Sequence, residues 1–132
     1  MQNNLENWQE RMAADHHIKE LGIFIKETKP GYAKVSLKIQ EKHLNGLGVT
    51  NGGVIFSLAD YAFAVAGNAG RKPSVAATVT VSFLQSSKTG DTLTAVCNVD
   101  KQGKKIGFYN INVYNQENKL IATAKGTSCT LQ

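Results

Sequence analysis

Cysteines and long apolar runs are scarce in this chain of 132 residues. Its two cysteines, Cys97 and Cys129, form neither a Cys-x-x-Cys pair nor a dense set, which excludes a disulfide scaffold and suits a reducing cytosol. We expect both to be reduced packing residues. The longest apolar run, residues 54–66, contains Asp60, and the first residues show no apolar stretch behind a basic start. We therefore expect no signal peptide, no membrane partner and a cytoplasmic location.

Arginine is also rare, because thirteen of the fifteen basic residues are lysines that are spread along the chain. Proteins that recognise specific nucleic-acid bases rely on arginine side chains that donate two hydrogen bonds to one base. The net charge of +5 therefore does not indicate nucleic acid as a partner. An apolar fraction of 42% with 19% charged residues excludes disorder. The length suits a single domain over residues 1–132.

Signatures of metal and serine-nucleophile chemistry are missing too. His16 and His17 are adjacent, so on a helix they point about 100° apart, and His43 lies far from both in the sequence. Ser57 lacks the Gly-x-Ser-x-Gly turn that exposes a serine nucleophile. We expect no metal, no cofactor and no Ser-His-Asp mechanism.

The spacing of apolar residues indicates two helices and six strands. An amphipathic helix is predicted at about residues 4–19, and a helix without a polar face, which must be buried all round, at residues 54–69. The strands are predicted at residues 21–25, 33–39, 75–84, 92–99, 105–114 and 120–131, and their short connections favour sequential antiparallel pairing. The fold class is α+β, with one curved antiparallel sheet wrapped around a single central helix.

Asp60 is the only carboxylate in the predicted buried helix. An unpaired carboxylate in a core costs several kcal/mol unless it is partnered, neutralised or placed in a functional cleft. One alternative is structural, since a buried aspartate can cap a loop or hold a backbone amide. The other is that Asp60 is a catalytic group.

The residues before this helix offer a site for a developing oxyanion. Gly52 and Gly53 follow Asn51 and place unpaired backbone N–H groups at a helix N-terminus. Asp60 lies seven positions beyond Gly53, which is about 10.5 Å at about 1.5 Å per residue, whereas a reacting carbonyl must be near both groups. We therefore expect a twofold dimer in which the two groups meet across the interface.

The run from Asn45 to Phe63, NGLGVTNGGVIFSLADYAF, resembles the hotdog-fold acyl-CoA thioesterases of the phenylacetic-acid-degradation type. That family has an asparagine, then His-Gly-Gly, then Phe-Ser-Leu-Ala-Asp-x-Ala-Phe. The similarity continues through the Gly90–Leu93 turn and the closing strand, over most of residues 20–131. The resemblance implies hydrolysis of aryl- or medium-chain acyl-CoA, with coenzyme A as part of the substrate, and a homotetramer built from two dimers.

The resemblance also implies roles for individual residues. The catalytic carboxylate falls on Asp60 and the amide that polarises the thioester on Gly52, with Gly53 beside it in the substrate site. Asn45 matches a loop asparagine that arranges the surroundings of the water or nucleophile. Thr78 matches a serine or threonine that faces the attacking water, although it can equally be a satisfied β-strand threonine.

The chain departs from the family pattern at Asn51, which stands where the family has a histidine. An asparagine amide donates a hydrogen bond but cannot ionise or shuttle a proton. Asn51 is therefore a substrate-binding residue or only a helix cap. A non-catalytic acyl-CoA-binding protein is the alternative function, and a hydratase or dehydratase is disfavoured because it would need a well-placed histidine.

Two further features bear on the substrate. The small residues that follow Asp60, namely Ala62, Ala64, Ala66 and Gly67, leave room for an acyl group or for a partner helix. The coenzyme A phosphates would suit surface cations, for which Arg71, Lys104 and Lys105 are candidates. Sequence does not separate a nucleophilic from a general-base role of Asp60.

Overall fold

The computed structural model describes residues 7–131 and shows one six-stranded antiparallel sheet curved around a long helix. The helices are α1 (Trp8–Ala13), α2 (His16–Leu21) and α3 (Gly52–Asn68). The strands are β1 (Phe24–Lys29), β2 (Tyr32–Lys38), β3 (Ser74–Phe83), β4 (Thr92–Gln102), β5 (Ile106–Tyr114) and β6 (Leu120–Thr130). This arrangement is the curved sheet around a central helix that the apolar spacing predicts.

The N-terminal segment corrects the prediction of one helix over residues 4–19. It forms two short helices: α1 ends at Ala13, and Asp15 caps a new helix, α2, its side chain accepting a hydrogen bond from the Ile18 amide at 3.1 Å. Residues 4–6 of the predicted helix lie outside the described residues. Gly22 ends α2 at φ 88°, so β1 starts at Phe24 rather than at Leu21.

Strand pairing differs from the predicted sequential order. The sheet order is β1-β2-β4-β5-β6-β3, so the four C-terminal strands do not form one meander and β3 lies beyond β6 at an edge. Residues 84–91 carry the chain from β3 back to β4, which lies between β2 and β5. Two backbone hydrogen bonds fix this crossing: the Thr50 amide, just before α3, donates to the Ser87 carbonyl at 2.9 Å, and the Ile39 amide, just after β2, donates to the Asp91 carbonyl at 2.8 Å.

Helix α3 is buried on most of its surface, and its contacts with the sheet are close. At Gly126 on β6, a Cβ atom would lie 2.6 Å from the ring of Phe63 on α3. The Phe63 ring also packs against Tyr109 on β5, with centroids 5.2 Å apart. Only glycine allows the backbone of β6 to come this close to α3. Both cysteines are free thiols, with Cys97 buried and Cys129 half-buried.

No helix within residues 7–131 is both long and apolar enough to span a bilayer.

Candidate active site

Asp60 lies halfway along α3 and opens into a cavity of about 320 Å³. The other residues that line this cavity come from α1, α3, the start of β3 and the C-terminal end of β6, and most of them are apolar: Arg11, Met12, Phe63, Ala64, Asn68, Pro73, Ser74, Val75, Ala76, Ser128 and Leu131. Of the small residues that follow Asp60, only Ala64 lines the cavity, since Ala62 and Ala66 are fully buried in the core. A carboxylate in the wall of a mostly apolar cavity suits an apolar acyl group with a reactive carbonyl.

The side chain of Asp60 makes no hydrogen bond or ion pair with any residue in the part of the chain that the structure describes. The structural alternative, in which it caps a loop or holds an amide, is therefore not seen there. Burial raises the pKa of Asp60, the nearby Asp15 carboxylate raises it further, and His17 lowers it. A carboxylate with a raised pKa is a better base than an ordinary aspartate.

Gly52 begins α3, and its amide donates no hydrogen bond within residues 7–131. Asn51 is the helix cap, and its side-chain oxygen accepts the neighbouring Gly53 amide at 2.6 Å. The cap therefore uses the Gly53 amide and leaves that of Gly52 open. Gly52 faces a second cavity, of about 340 Å³, that is also lined by Ile55 and Phe83. Of the two predicted oxyanion donors, Gly52 is the one whose N–H remains available.

The amide of Gly52 and the carboxylate of Asp60 do not meet within one chain. They are eight positions apart on a continuous helix, which is about 12 Å along the axis. The cavities at Gly52 and at Asp60 share no lining residue. A carbonyl held by one group therefore cannot reach the other group of the same protomer.

The remaining predicted site residues lie apart from the cavity at Asp60. Asn45 organises its own loop, because its side-chain oxygen accepts the amides of Leu47 at 2.9 Å and Val49 at 3.3 Å. Thr78 is exposed on the edge strand β3, directly after a bulge, and is paired with Thr127. It is not among the residues that line the cavity with Asp60.

The three candidate cations for coenzyme A phosphates differ in exposure. Lys104 and Lys105 are exposed in the turn between β4 and β5. Arg71 is half-buried, and its guanidinium donates to the Thr130 hydroxyl at 3.3 Å. The two lysines are therefore accessible to a phosphate, whereas the Arg71 guanidinium is already hydrogen-bonded within the chain.

Sequence reasoning missed His17, which the structure places beside the site. Its Nε2 lies 2.9 Å from the Ser57 hydroxyl, one turn before Asp60 on α3. This contact joins residues 40 positions apart. No local spacing in the sequence signals such a contact.

Comparison with known proteins identifies the family to which the chain belongs. The family model described as Thioesterase superfamily matches residues 47–122. A second finding agrees: the acyl-coenzyme A thioesterase PaaI of Escherichia coli strain K12 is 42% identical over 114 residues, which is 86% of this chain and 81% of the relative. The chain belongs to the thioesterase superfamily.

Further relatives of this thioesterase-superfamily protein support the same assignment. A putative esterase of Archaeoglobus fulgidus is 44% identical over 113 residues, covering 86% of this chain and 73% of the relative. The solved structure of the E. coli PaaI protein from the phenylacetic acid degradation operon superposes with a TM-score of 0.92 at 38% identity, over 96% of this chain and 92% of that one. This match confirms the hotdog fold that the resemblance implies.

Proposed function

We propose that the protein hydrolyses acyl-CoA thioesters to the free acid and coenzyme A. The observation that carries this proposal is the Asp60 carboxylate, which is half-buried, lacks a hydrogen-bond or ion-pair partner within residues 7–131 and opens into a mostly apolar cavity. The E. coli relative, whose name specifies an acyl-coenzyme A thioesterase, supports the choice of substrate carrier.

The proposed site is shared between two protomers of a homodimer. Gly52 of the partner subunit would hold the thioester oxygen, while Asp60 acts on the carbonyl carbon. Strand β3 supports this dimer because it is an edge strand of ten residues whose backbone is open on one side. Its apolar residues Val75 and Phe83 are about half exposed, at 51% and 52%. Antiparallel pairing of two β3 strands would bring the two copies of α3 side by side in opposite directions.

In the general-base route, the Asp60 carboxylate takes a proton from a water molecule, and the water oxygen forms a bond to the thioester carbonyl carbon. The negative charge that develops on the carbonyl oxygen is stabilised by the amide of Gly52 at the helix N-terminus. Collapse of this intermediate breaks the carbon–sulfur bond, and the proton on Asp60 returns to the departing sulfur. In the nucleophilic route, the Asp60 carboxylate attacks the carbonyl carbon, the carbon–sulfur bond breaks, and coenzyme A leaves as a thiolate that takes a proton from solvent; water then hydrolyses the acyl-aspartate anhydride.

Asn51 and Asn45 have supporting roles in this proposal. The side-chain oxygen of Asn51 caps α3, which leaves its amide NH₂ group to donate to the substrate. Asn45 fixes the loop that leads to Gly52 through its two amide contacts. Thr78, on the exposed edge strand, would face the attacking water only once the dimer forms.

The acyl group we propose is an aryl or medium-chain group. A cavity of about 320 Å³ with mostly apolar walls lies at the lower end of the size range of small-molecule sites. Met12 and Phe63 supply bulky apolar walls, and a cavity of this volume suits an aryl or medium-chain group better than a long chain. The cytoplasmic location and the association of two dimers into a tetramer remain predictions.

The test is thiol release from phenylacetyl-, benzoyl-, short-, medium- and long-chain acyl-CoA by the wild type and by Asp60→Asn. We expect turnover of the aryl and medium-chain members and its loss in the variant. Hydrolysis in H₂¹⁸O under single-turnover conditions tests for the nucleophilic route, since ¹⁸O enters Asp60 only when water attacks the aspartyl carbonyl of the anhydride. A folded wild type that binds coenzyme A without turning over any member would instead indicate a binding protein.

A further inference from the structure

The N-terminal helices hold an imidazole against the face of α3 that carries Asp60. His17 Nε2 and the Ser57 hydroxyl are 2.9 Å apart. Ser57 and Asp60 are three positions apart on α3, and residues with this spacing are neighbours on a helix surface. His17 therefore lies on the Asp60 side of the helix, at a fixed point.

The segment that carries His17 is anchored to the rest of the molecule. The Tyr61 hydroxyl on α3 donates to the Met12 carbonyl at 2.9 Å. At the other end of the segment, the Lys42 ammonium donates to the Glu20 carbonyl at 3.0 Å and His43 Nε2 lies 2.9 Å from the Leu21 carbonyl. These contacts hold the polypeptide on both sides of His17, so its distance from Asp60 is set by the fold.

The charges around Asp60 come from this same segment. Asp15, the cap of α2, opposes ionisation of Asp60, whereas His17 in its cationic form favours it. Arg11 on α1 lines the same cavity, and Tyr61 follows Asp60 on α3. The residues that β3 and β6 contribute to the cavity wall carry no charge. Asp15 and His17 thus form an opposed pair of charges beside the carboxylate.

We propose that His17, held by Ser57 beside Asp60, is an electrostatic positioning residue that keeps the Asp60 carboxylate ionised against the opposing charge of Asp15. The inference rests on the proposed function for its consequence in catalysis. The effect acts on the ionisation of Asp60, so it is measured in the pH range in which that carboxylate titrates. The segment would then set the lowest pH at which the enzyme works.

The experiment follows the Asp60 carboxyl carbon by ¹³C NMR through a pH titration, together with the pH profile of kcat/KM, in full-length protein. His17→Gln keeps a hydrogen-bonding side chain but removes the cation, and we expect the Asp60 midpoint and the acid limb of the profile to rise by about half a unit. A rise of that size is about a threefold loss of activity at a pH below the midpoint. His16→Gln is the matched control, because His16 is exposed like His17 but lacks the contact with Ser57, and it should leave both unchanged.

Two further variants separate charge from packing. His17→Lys restores a cation and should return the midpoint towards the wild-type value. Asp15→Asn keeps a good helix cap while removing the opposing charge, so it should lower the midpoint. An Asp60 titration that His17→Gln leaves unchanged, or that Asp15→Asn moves upwards, would overturn the inference. Because the NMR titration needs no turnover, failure of the proposed thioesterase activity would be seen separately, as a wild type without thiol release.

Discussion

Replacing Gly52 by proline removes one N–H group from the proposed oxyanion site and leaves the rest of the helix unchanged. Proline is well tolerated at the first position of a helix, because the N–H there has no intrahelical acceptor. The amide of Gly52 has no acceptor within residues 7–131. The residue before a proline must be extended, and Asn51 already is, with φ −63° and ψ 135°. The Cβ that proline adds would make an ordinary contact, 3.6 Å from the Phe83 ring.

The expected result is a folded protein with a large loss of catalysis. Removal of one oxyanion donor lowers kcat by about 10²–10³-fold, which is about 3–4 kcal/mol of transition-state stabilisation. Stability should be unchanged or higher by about 0.4–1 kcal/mol, because the proline restricts the unfolded chain. Gly52→Ala is the control, since it adds the same Cβ contact with Phe83 and keeps the N–H.

The assay is thiol release under saturating acyl-CoA, with the melting temperature of each variant measured beside it. Gly52→Ala should remain within a few-fold of the wild type, and Gly52→Pro should fall by at least a hundredfold at an unchanged or higher melting temperature. A folded Gly52→Pro enzyme with wild-type kcat would refute the assignment of the Gly52 amide as the oxyanion donor.

Other substitutions test the energetics of the site and the core. Asp60→Asn should be more stable than the wild type at neutral pH by about 1 kcal/mol, because an unpaired buried charge is removed. The raised pKa of Asp60 means that the folded state holds its proton more tightly than the unfolded state, so the stabilising contribution of this group is present at low pH and is lost as pH rises through the folded-state value. The stability gained by Asp60→Asn should accordingly shrink on acidification, and urea unfolding at several pH values would reveal a constant difference if this reasoning is wrong. Gly126→Ala should cost about 1–3 kcal/mol, since its Cβ would lie 2.6 Å from the buried Phe63 ring, and a variant as stable as the wild type in urea would contradict that close contact. Ala64→Leu should fill the cavity beside Asp60 and lower kcat/KM for aryl-CoA more than for acetyl-CoA, and an equal effect on both substrates would place the acyl group elsewhere.

The parts of the fold that local pattern could predict are those with strong periodicity. The apolar run after Gly53 predicts α3, and the alternation around Ile111 and Ile121 predicts β5 and β6. Alternation fixes which face of a strand is buried but not which strand lies beside it. The pairing of β3 with β6 depends on the path of residues 84–91 across the start of α3, which is a tertiary property.

The candidate site likewise has residues that local sequence could predict and residues that depend on tertiary packing. Asp60 and Gly52 could be predicted because a carboxylate in an apolar helix and a pair of glycines at its start are local signals. Whether the Asn51 side chain accepts the Gly53 amide depends on the rotamer of Asn51, which the local sequence does not fix. The position of His17 requires the packing of α2 on α3, and the sequence carries no local trace of it.

The central claim is that each site takes its carboxylate from one protomer and its oxyanion donor from the other. The most direct measurement is the activity of a hybrid dimer purified through two different tags from cells that express Asp60→Asn and Gly52→Pro chains together. Each parent homodimer should be nearly inactive. In the hybrid, one site carries both substitutions and the other carries neither, so the account predicts about half of the wild-type turnover per dimer. A hybrid as inactive as its parents would show that both groups act within one chain and would contradict the shared site.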